Sequence, residues 1–260
     1  MYPYINVFGL TIQSYYICAA AAGALGITLA VLYLRKTGQG IWAFFLPVIA
    51  AAAALAGARL LNCILNPAAF SEEFPVWTLS YRKLSLMGGL AAGIVVTVLY
   101  CLLRRESMGK VADAFAVPAA AGTVLLKIGC FLNGCCFGKP TESPFGMIFP
   151  ANASKYSFIN SLKIVSAKSQ VVHPTQLYEI AGAIIAGIAA VVLTRIFRLK
   201  EGSRAAIFAV LFTAARWIVL PLREFPYEKE MITVFYPCLY AAMIMIAAGY
   251  LAVINRRHRS

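Results

Sequence analysis

The sequence predicts an all-α integral membrane protein of seven transmembrane helices. Three observations carry that expectation. Of the 260 residues 61% are hydrophobic, only 13% are charged, and the apolar residues gather into seven runs of spanning length. A soluble domain carries about a quarter charged residues, so a composition with mean hydropathy +0.78 argues against a water-soluble globule. The formal net charge of +13 taken alone would suit nucleic acid. Here, however, the basic residues form short clusters between apolar runs, where they report membrane orientation rather than a binding stripe. No nucleic-acid partner is expected.

A bilayer core of about 30 Å takes about 20 apolar residues per helix. The runs fall at about 11–34, 41–65, 84–103, 112–133, 175–194, 204–222 and 232–254. The first has no basic n-region and continues to full spanning length, so it is expected to remain as helix one rather than act as a cleaved signal. The second carries Arg59, the fourth Lys127 and Asn133, and the sixth Arg216. The fourth breaks down at glycines, and the fifth starts at Pro174 and Thr175, a helix-start signal. No Pro/Ser-rich linker or repeat divides the chain, so residues 1–260 are expected to form one transmembrane domain. That domain would include a loop or cap over 137–172, where Phe145, Met147 and Phe149 alternate as in short strands.

Loop charges orient the helices. Arg35 and Lys36, Arg104 and Arg105, the Arg195–Arg204 cluster and the terminal RRHR fall on one side with few acids. The other side mixes its Lys and Arg with Glu72, Glu73, Glu142, Glu224, Glu228 and Glu230. The positive-inside rule then places the C-terminus in the cytoplasm, the N-terminus outside, and the 137–172 cap on the extracytoplasmic face.

Arg59, Lys127 and Arg216 stand inside apolar spans, where a charge costs about 2.5–3.5 kcal/mol at mid-membrane and demands a partner, a wet cavity or a ligand. Glu179 alone cannot neutralise three cations. An anionic phospholipid phosphate would balance them; snorkelling to the interface is the alternative for any one of them. Polar residues cluster twice, in GCFLNGCCFGKPT (129–141) and in HPTQLYE (173–179). The second brings His173, Gln176, Tyr178 and Glu179 to a helix N-terminus, whose free N–H groups suit a phosphate. A His before a Pro also serves as a loop or capping residue.

HPTQLYE matches the hallmark of the bacterial prolipoprotein diacylglyceryl transferases letter for letter, and the chain resembles that family along most of its length. GLTIQSYY resembles the first-helix motif and places Tyr15 at the functional tyrosine. GARL gives Arg59 a counterpart, LSLMGGLAAG resembles the start of helix three, and ADAFAVPAAAG leads into the signature loop. ARWIVLPLRE aligns Arg216 and Arg223 with family arginines.

The resemblance implies transfer of the diacylglyceryl group of phosphatidylglycerol to a prolipoprotein cysteine thiol, with release of glycerol phosphate, in the bacterial cytoplasmic membrane. No cofactor is implied. Such chemistry needs a base and cations around the leaving phosphate. Arg59, Lys127, Arg216 and Arg223 would supply the charge, with Asn133, Gln176 and Tyr178 orienting the headgroup. His173, Glu179 and Tyr15 are the catalytic candidates, and histidine as a residue type titrates near neutrality. The chain departs from the family at Met87, where a His is usual, and at Lys127, where Arg is usual. It also departs at Cys130 and Cys135, where Asn and an acid are usual, and at Leu220, where an acid is expected. Two alternatives accompany these departures: a related transferase with another acceptor, passing an acyl group through a cysteine thioester, and a non-catalytic lipid-binding or transport homologue.

Of seven cysteines, those at 18, 63, 101 and 238 sit in apolar runs as small hydrophobes. Cys130, Cys135 and Cys136 flank Gly134 at the end of the fourth run and read as packing residues, a nucleophile or a redox group. A Cys130–Cys135 disulfide is feasible, whereas adjacent Cys135 and Cys136 make a poor one. No metal is expected, because the only histidines are His173 and His258, assigned to opposite sides.

Overall fold

A computed structural model describes residues 2, 4–7, 9–65, 84–149, 171–224 and 231–256. It contains the helices α1 (Ser14–Lys36), α2 (Trp42–Leu65), α3 (Leu86–Arg104), α4 (Met108–Asn133), α5 (Thr175–Ile196), α6 (Ser203–Val219) and α7 (Tyr236–Arg256). A 3-10 turn, Leu220–Leu222, extends α6, and a π turn, Met231–Phe235, leads into α7. All seven helices are long and apolar enough to cross a membrane, as the runs predict. Large apolar side chains lie bare on them, among them Leu103, Ile218 and Ile246. A soluble protein would bury such residues, whereas hydrocarbon solvates them.

The departures from the expected boundaries have local causes. Residues 10–13 do not begin the first helix, because β2 (Leu10–Gln13) pairs antiparallel with β1 (Tyr4–Val7). Gly9, at φ 83°, makes the turn between them. The helix α4 starts four residues early, where Ser107 Oγ accepts from the Lys110 N–H at 3.4 Å. The predicted alternation appears as β3 (Met147–Ile148), paired with β4 (Val171–Val172). The rest of the expected cap, 150–170, lies outside the described residues, as do Glu72, Glu73, Glu228, Glu230 and His258.

Backbone contacts divide the chain into two compact units. In the unit of residues 27–115, α2 and α3 run antiparallel at a crossing of small residues. A Cβ on Gly88 would lie 2.2 Å from Gly57 O, and one on Gly57 would lie 2.4 Å from Ala92 Cβ. Transmembrane helices gain little from apolar burial, since lipid is equally apolar, so close approach through small residues is what holds such a pair. Ser85 caps α3, its hydroxyl accepting from Gly88 N. A buried cluster that includes Leu34, Leu46, Tyr100 and Val111 fills this unit, and Tyr100 Oη donates to Gln39 Oε1.

The unit of residues 1–26 and 116–260 uses the same device. A Cβ on Gly187 would meet Ala120 Cβ of α4, and one on Gly182 would meet Ala215 Cβ of α6, each at 2.8 Å. So α5 sits close against both neighbours, over a core of Ala116, Ala120, Ala186, Ala190, Ile207 and Phe208. At one end Asn255 of α7 ties down the α5–α6 turn. Its Oδ1 accepts from Lys200 N at 3.2 Å, and its Nδ2 donates to Ser203 Oγ at 3.1 Å.

The α2–α3 crossing yields a prediction. Gly88→Ala forces a methyl onto backbone and should cost about 1–3 kcal/mol, lowering the thermal midpoint of the detergent-solubilised protein by several degrees. Gly122→Ala, where an added Cβ meets nothing within 4 Å, should leave the midpoint unchanged. Equal midpoints for the two variants would contradict the crossing.

Candidate functional site

The buried residues of α5 include Thr175, Gln176, Glu179, Ala183, Ala186 and Ala190. The steps from 176 to 179, 183, 186 and 190 alternate between three and four, so these side chains share the inward face of one helix. Small residues fill that face deeper in, and the polar ones sit in the first two turns. Pro174 precedes them with φ −78°, and its carbonyl accepts from Leu177 N at 2.9 Å to close the first turn.

Glu179 is 3% exposed, and three cations from three directions meet its carboxylate. Lys127 Nζ, from α4, contacts Oε2. Arg216, from α6, places a guanidinium nitrogen 3.6 Å from Oε2. Arg223, delivered by the 3-10 turn after α6, donates to Oε1 at 2.9 Å. Among the described residues, three positive charges thus meet on one negative charge. Arg216 is further supported by Tyr240 of α7, which hydrogen-bonds to it, and its Cζ lies 5.9 Å from the Phe212 ring centroid.

The end of α4 brings the three candidate cysteines together. Gly134, at φ 68°, adopts the left-handed conformation that stops the helix. Its N–H donates to Phe131 O at 3.2 Å, while Cys135 N–H donates to Cys130 O at 3.0 Å. Those two bonds make a Schellman motif, in which residues five apart meet. Cys136 follows at φ 63°, a left-handed conformation unusual for a side chain of this kind. The sulfurs of Cys130, Cys135 and Cys136 all lie within 4.8 Å of one another, and Cys135 and Cys136 are 3.9 Å apart. All three are free thiols. The Cys130 contact pulls the Cys135 thiol down, but Cys136 and burial outweigh it and raise it to about 12. Contacts from Cys130 and then Cys135, aided by the fields of Lys127 and Arg223, hold Cys136 well below the ordinary thiol range despite its burial.

The two polar motifs form one latch. Gln176 Nε2 donates to Cys135 O and Thr175 Oγ1 to Cys136 O, each at 2.7 Å. Gly138 N donates to His173 O at 2.8 Å, His173 N to Lys139 O at 3.1 Å, and Lys139 N to Leu222 O at 2.9 Å. The last bond and the Gly138–Arg223 bridge seat Arg223 beside the loop. A Cβ on Gly138 would stand 2.2 Å from Leu222 O, so only glycine fits this approach.

The remaining candidates take definite places. His173 Nδ1 lies 3.3 Å from Tyr178 Oη, and the two rings meet edge-on. Gln176 is fully buried, and its Oε1 has no donor among the described residues. Asn133 is fully buried at the last position of α4. Tyr15 is in the first turn of α1, which approaches α4 at Gly129: a Cβ there would lie 3.4 Å from Tyr15 Cα and 2.8 Å from Cys18 Cβ. Arg59 lies on α2, half-buried, in the unit of residues 27–115, and Met87 is 38% exposed at the start of α3 in that unit. The cation that joins Lys127 and Arg216 on Glu179 is Arg223, which the resemblance of ARWIVLPLRE had named with them as a phosphate-side residue. Tyr240 and Thr175 were not anticipated. Tyr240 gives no signal, being one aromatic residue in an apolar run.

A protein-family model for prolipoprotein diacylglyceryl transferase matches residues 3–255. The phosphatidylglycerol–prolipoprotein diacylglyceryl transferase of Clostridium tetani is 27% identical over 179 residues, covering 67% of this chain and 66% of that protein. The protein of that name from Cereibacter sphaeroides is 31% identical over 144 residues, covering 54% and 47%. The one from Bifidobacterium longum is 27% identical over 225 residues, covering 80% and 70%. Against several such relatives the matched stretch spans about half of the relative's length.

The charge centre makes an asymmetric prediction. Glu179→Gln leaves three buried cations facing one another and should cost about 3–5 kcal/mol. Lys127→Met removes one of the three cations and should cost far less. Thermal unfolding of the detergent-solubilised variants measures the difference; a Glu179→Gln midpoint equal to that of Lys127→Met would contradict the centre.

Proposed function

The chain belongs to the prolipoprotein diacylglyceryl transferase family, and on that premise we propose that it moves the diacylglyceryl group of phosphatidylglycerol onto a prolipoprotein cysteine thiol. The observation that carries this reading is the convergence of three cations on the carboxylate of Glu179. The donor phosphodiester bears one negative charge, and the departing glycerol phosphate develops a second. A centre built from three cations therefore stabilises the leaving group more than the bound substrate, and that difference accelerates the reaction.

In this reading the thiol sulfur attacks the glyceryl carbon bearing the phosphodiester oxygen. A C–S thioether bond forms, the C–O bond breaks, and glycerol phosphate leaves with the bonding pair. Arg216, Arg223 and Lys127 receive that charge. The two guanidinium groups offer planar forks to phosphate oxygens, and Lys127 offers a point charge. Glu179 is the counter-ion that holds the three cations in register. His173 takes the thiol proton: in the tautomer whose Nδ1–H donates to Tyr178 Oη, Nε2 is the acceptor, and Tyr178 fixes the ring. The buried Gln176 Oε1 is an acceptor for a headgroup hydroxyl, with Asn133 and Tyr15 as further orienting groups.

The protein would lie in the bacterial cytoplasmic membrane with its N-terminus outside. The basic clusters after α1, α3 and α5 support that orientation, since they would then face the cytoplasm. The start of α5 and the latch would open toward the outer leaflet, where secreted prolipoproteins present their cysteine.

The test combines the purified protein, phosphatidylglycerol vesicles and a lipobox peptide. The expected products are a thioether-linked diacylglyceryl peptide and glycerol phosphate in equal amounts. Arg216→Gln and His173→Gln should each lower the rate by about 10²–10³, the scale of losing one transition-state partner. Lipid binding without product would reject the transferase reading in favour of a lipid-binding homologue.

A further inference from the structure

The three-cysteine cluster lies outside the roles just described, and its geometry is that of a ligand set. We propose that Cys130, Cys135 and Cys136 form a three-thiolate site for a soft, monovalent, thiophilic metal ion such as Cu(I). Two histidines on opposite sides argue against a metal in the sequence, but soft thiolates select such ions without any nitrogen ligand.

Distance is the first argument. A thiolate sulfur binds such metals at about 2.3 Å, so three sulfurs at the corners of a trigonal site stand about 4.0 Å apart. Cys135 and Cys136 are 3.9 Å apart, and the third sulfur is within 4.8 Å of both. Closing the set needs a shift of less than about 1 Å at Cys130, within the reach of a side-chain rotation.

The second argument is that the backbone is already committed. The Schellman bond from Cys135 N to Cys130 O holds two of the ligands face to face. Positive φ at Gly134 and Cys136 folds the third beside them. Gln176 and Thr175 then grip the carbonyls of Cys135 and Cys136, so the loop is anchored to α5. Ligands presented by a fixed backbone bind with little ordering cost. Two of the three are sequence neighbours, a poor disposition for a disulfide and an acceptable one for a shared ion.

The number of donors identifies the class of ion. Structural Zn(II) sites are almost always four-coordinate, whereas the cluster brings three sulfurs together among the described residues. Soft thiolate ligands select Cu(I), and a monovalent ion of that kind is satisfied by three of them.

The experiment titrates the full-length, reduced protein in detergent with Cu(I), without oxygen, against a chromophoric Cu(I) chelator, with Zn(II) in a parallel arm. One Cu(I) per chain should resist the chelator, at least tenfold tighter than Zn(II). Cys135→Ser and Cys136→Ser should each lower Cu(I) affinity at least tenfold, and Cys238→Ser, on exposed α7, should leave it unchanged. Retention of less than a tenth of an equivalent, equal binding by the triple Cys130/Cys135/Cys136→Ser variant, or preference for Zn(II) would overturn the proposal. X-ray absorption of the copper-loaded wild type needs no variant to fold: three sulfur neighbours at about 2.3 Å are expected, and fewer than three overturn the site.

Discussion

The arrangement depends on one buried carboxylate. Glu179 draws Lys127, Arg216 and Arg223 from three segments to a single point inside an apolar bundle. Without it, three cations would repel one another where water is scarce; with it, they are held together. Under the proposed function, that gathering of cations is what receives the phosphate of the lipid.

Everything around Glu179 serves to bring backbone close enough for that convergence. Glycine and alanine contacts let α5 approach α4 and α6, so the side chains of Lys127 and Arg216 reach one carboxylate. The loop after α4 folds back on the start of α5 and on residue 222, and it carries Arg223 into place through backbone bonds rather than side-chain chance. The end of α4 and the start of that loop bring three sulfurs within 4.8 Å of one another. The HPTQLYE segment therefore does several jobs at once: His173 and Thr175 hold the loop, Gln176 buries an acceptor that has no donor among the described residues, and Glu179 organises charge.

The seven helices were legible because membrane physics permits few alternatives: a run of about 20 apolar residues must satisfy its own backbone. The small errors came from residues 10–13 and 108–111, where a hairpin and a hydroxyl cap moved helix starts that hydropathy cannot resolve. The importance of Lys127, Arg216 and Glu179 was also legible, since charges inside apolar runs are costly. Arg223 was named only through the family resemblance, because its place depends on the 3-10 turn at Leu220–Leu222, which no hydropathy pattern marks. The cysteine cluster was half visible: the spacing Cys130 to Cys135 around Gly134 is that of a Schellman closure, but the left-handed turn at Cys136 leaves no mark in the sequence. Tyr240 was not legible, because nothing local marks which residue of α7 faces Arg216.

The central claim is that the cations gathered on Glu179 hold the phosphate of an anionic phospholipid. Its most direct measurement is the dipolar coupling between phosphorus and arginine side-chain nitrogen in protein carrying ¹⁵N-labelled arginine, reconstituted with phosphatidylglycerol. The account predicts a lipid phosphorus within about 4 Å of guanidinium nitrogens, with that signal removed by Arg216→Lys and Arg223→Lys together. A coupling that survives the double substitution, or one equally strong with a zwitterionic lipid, would contradict it.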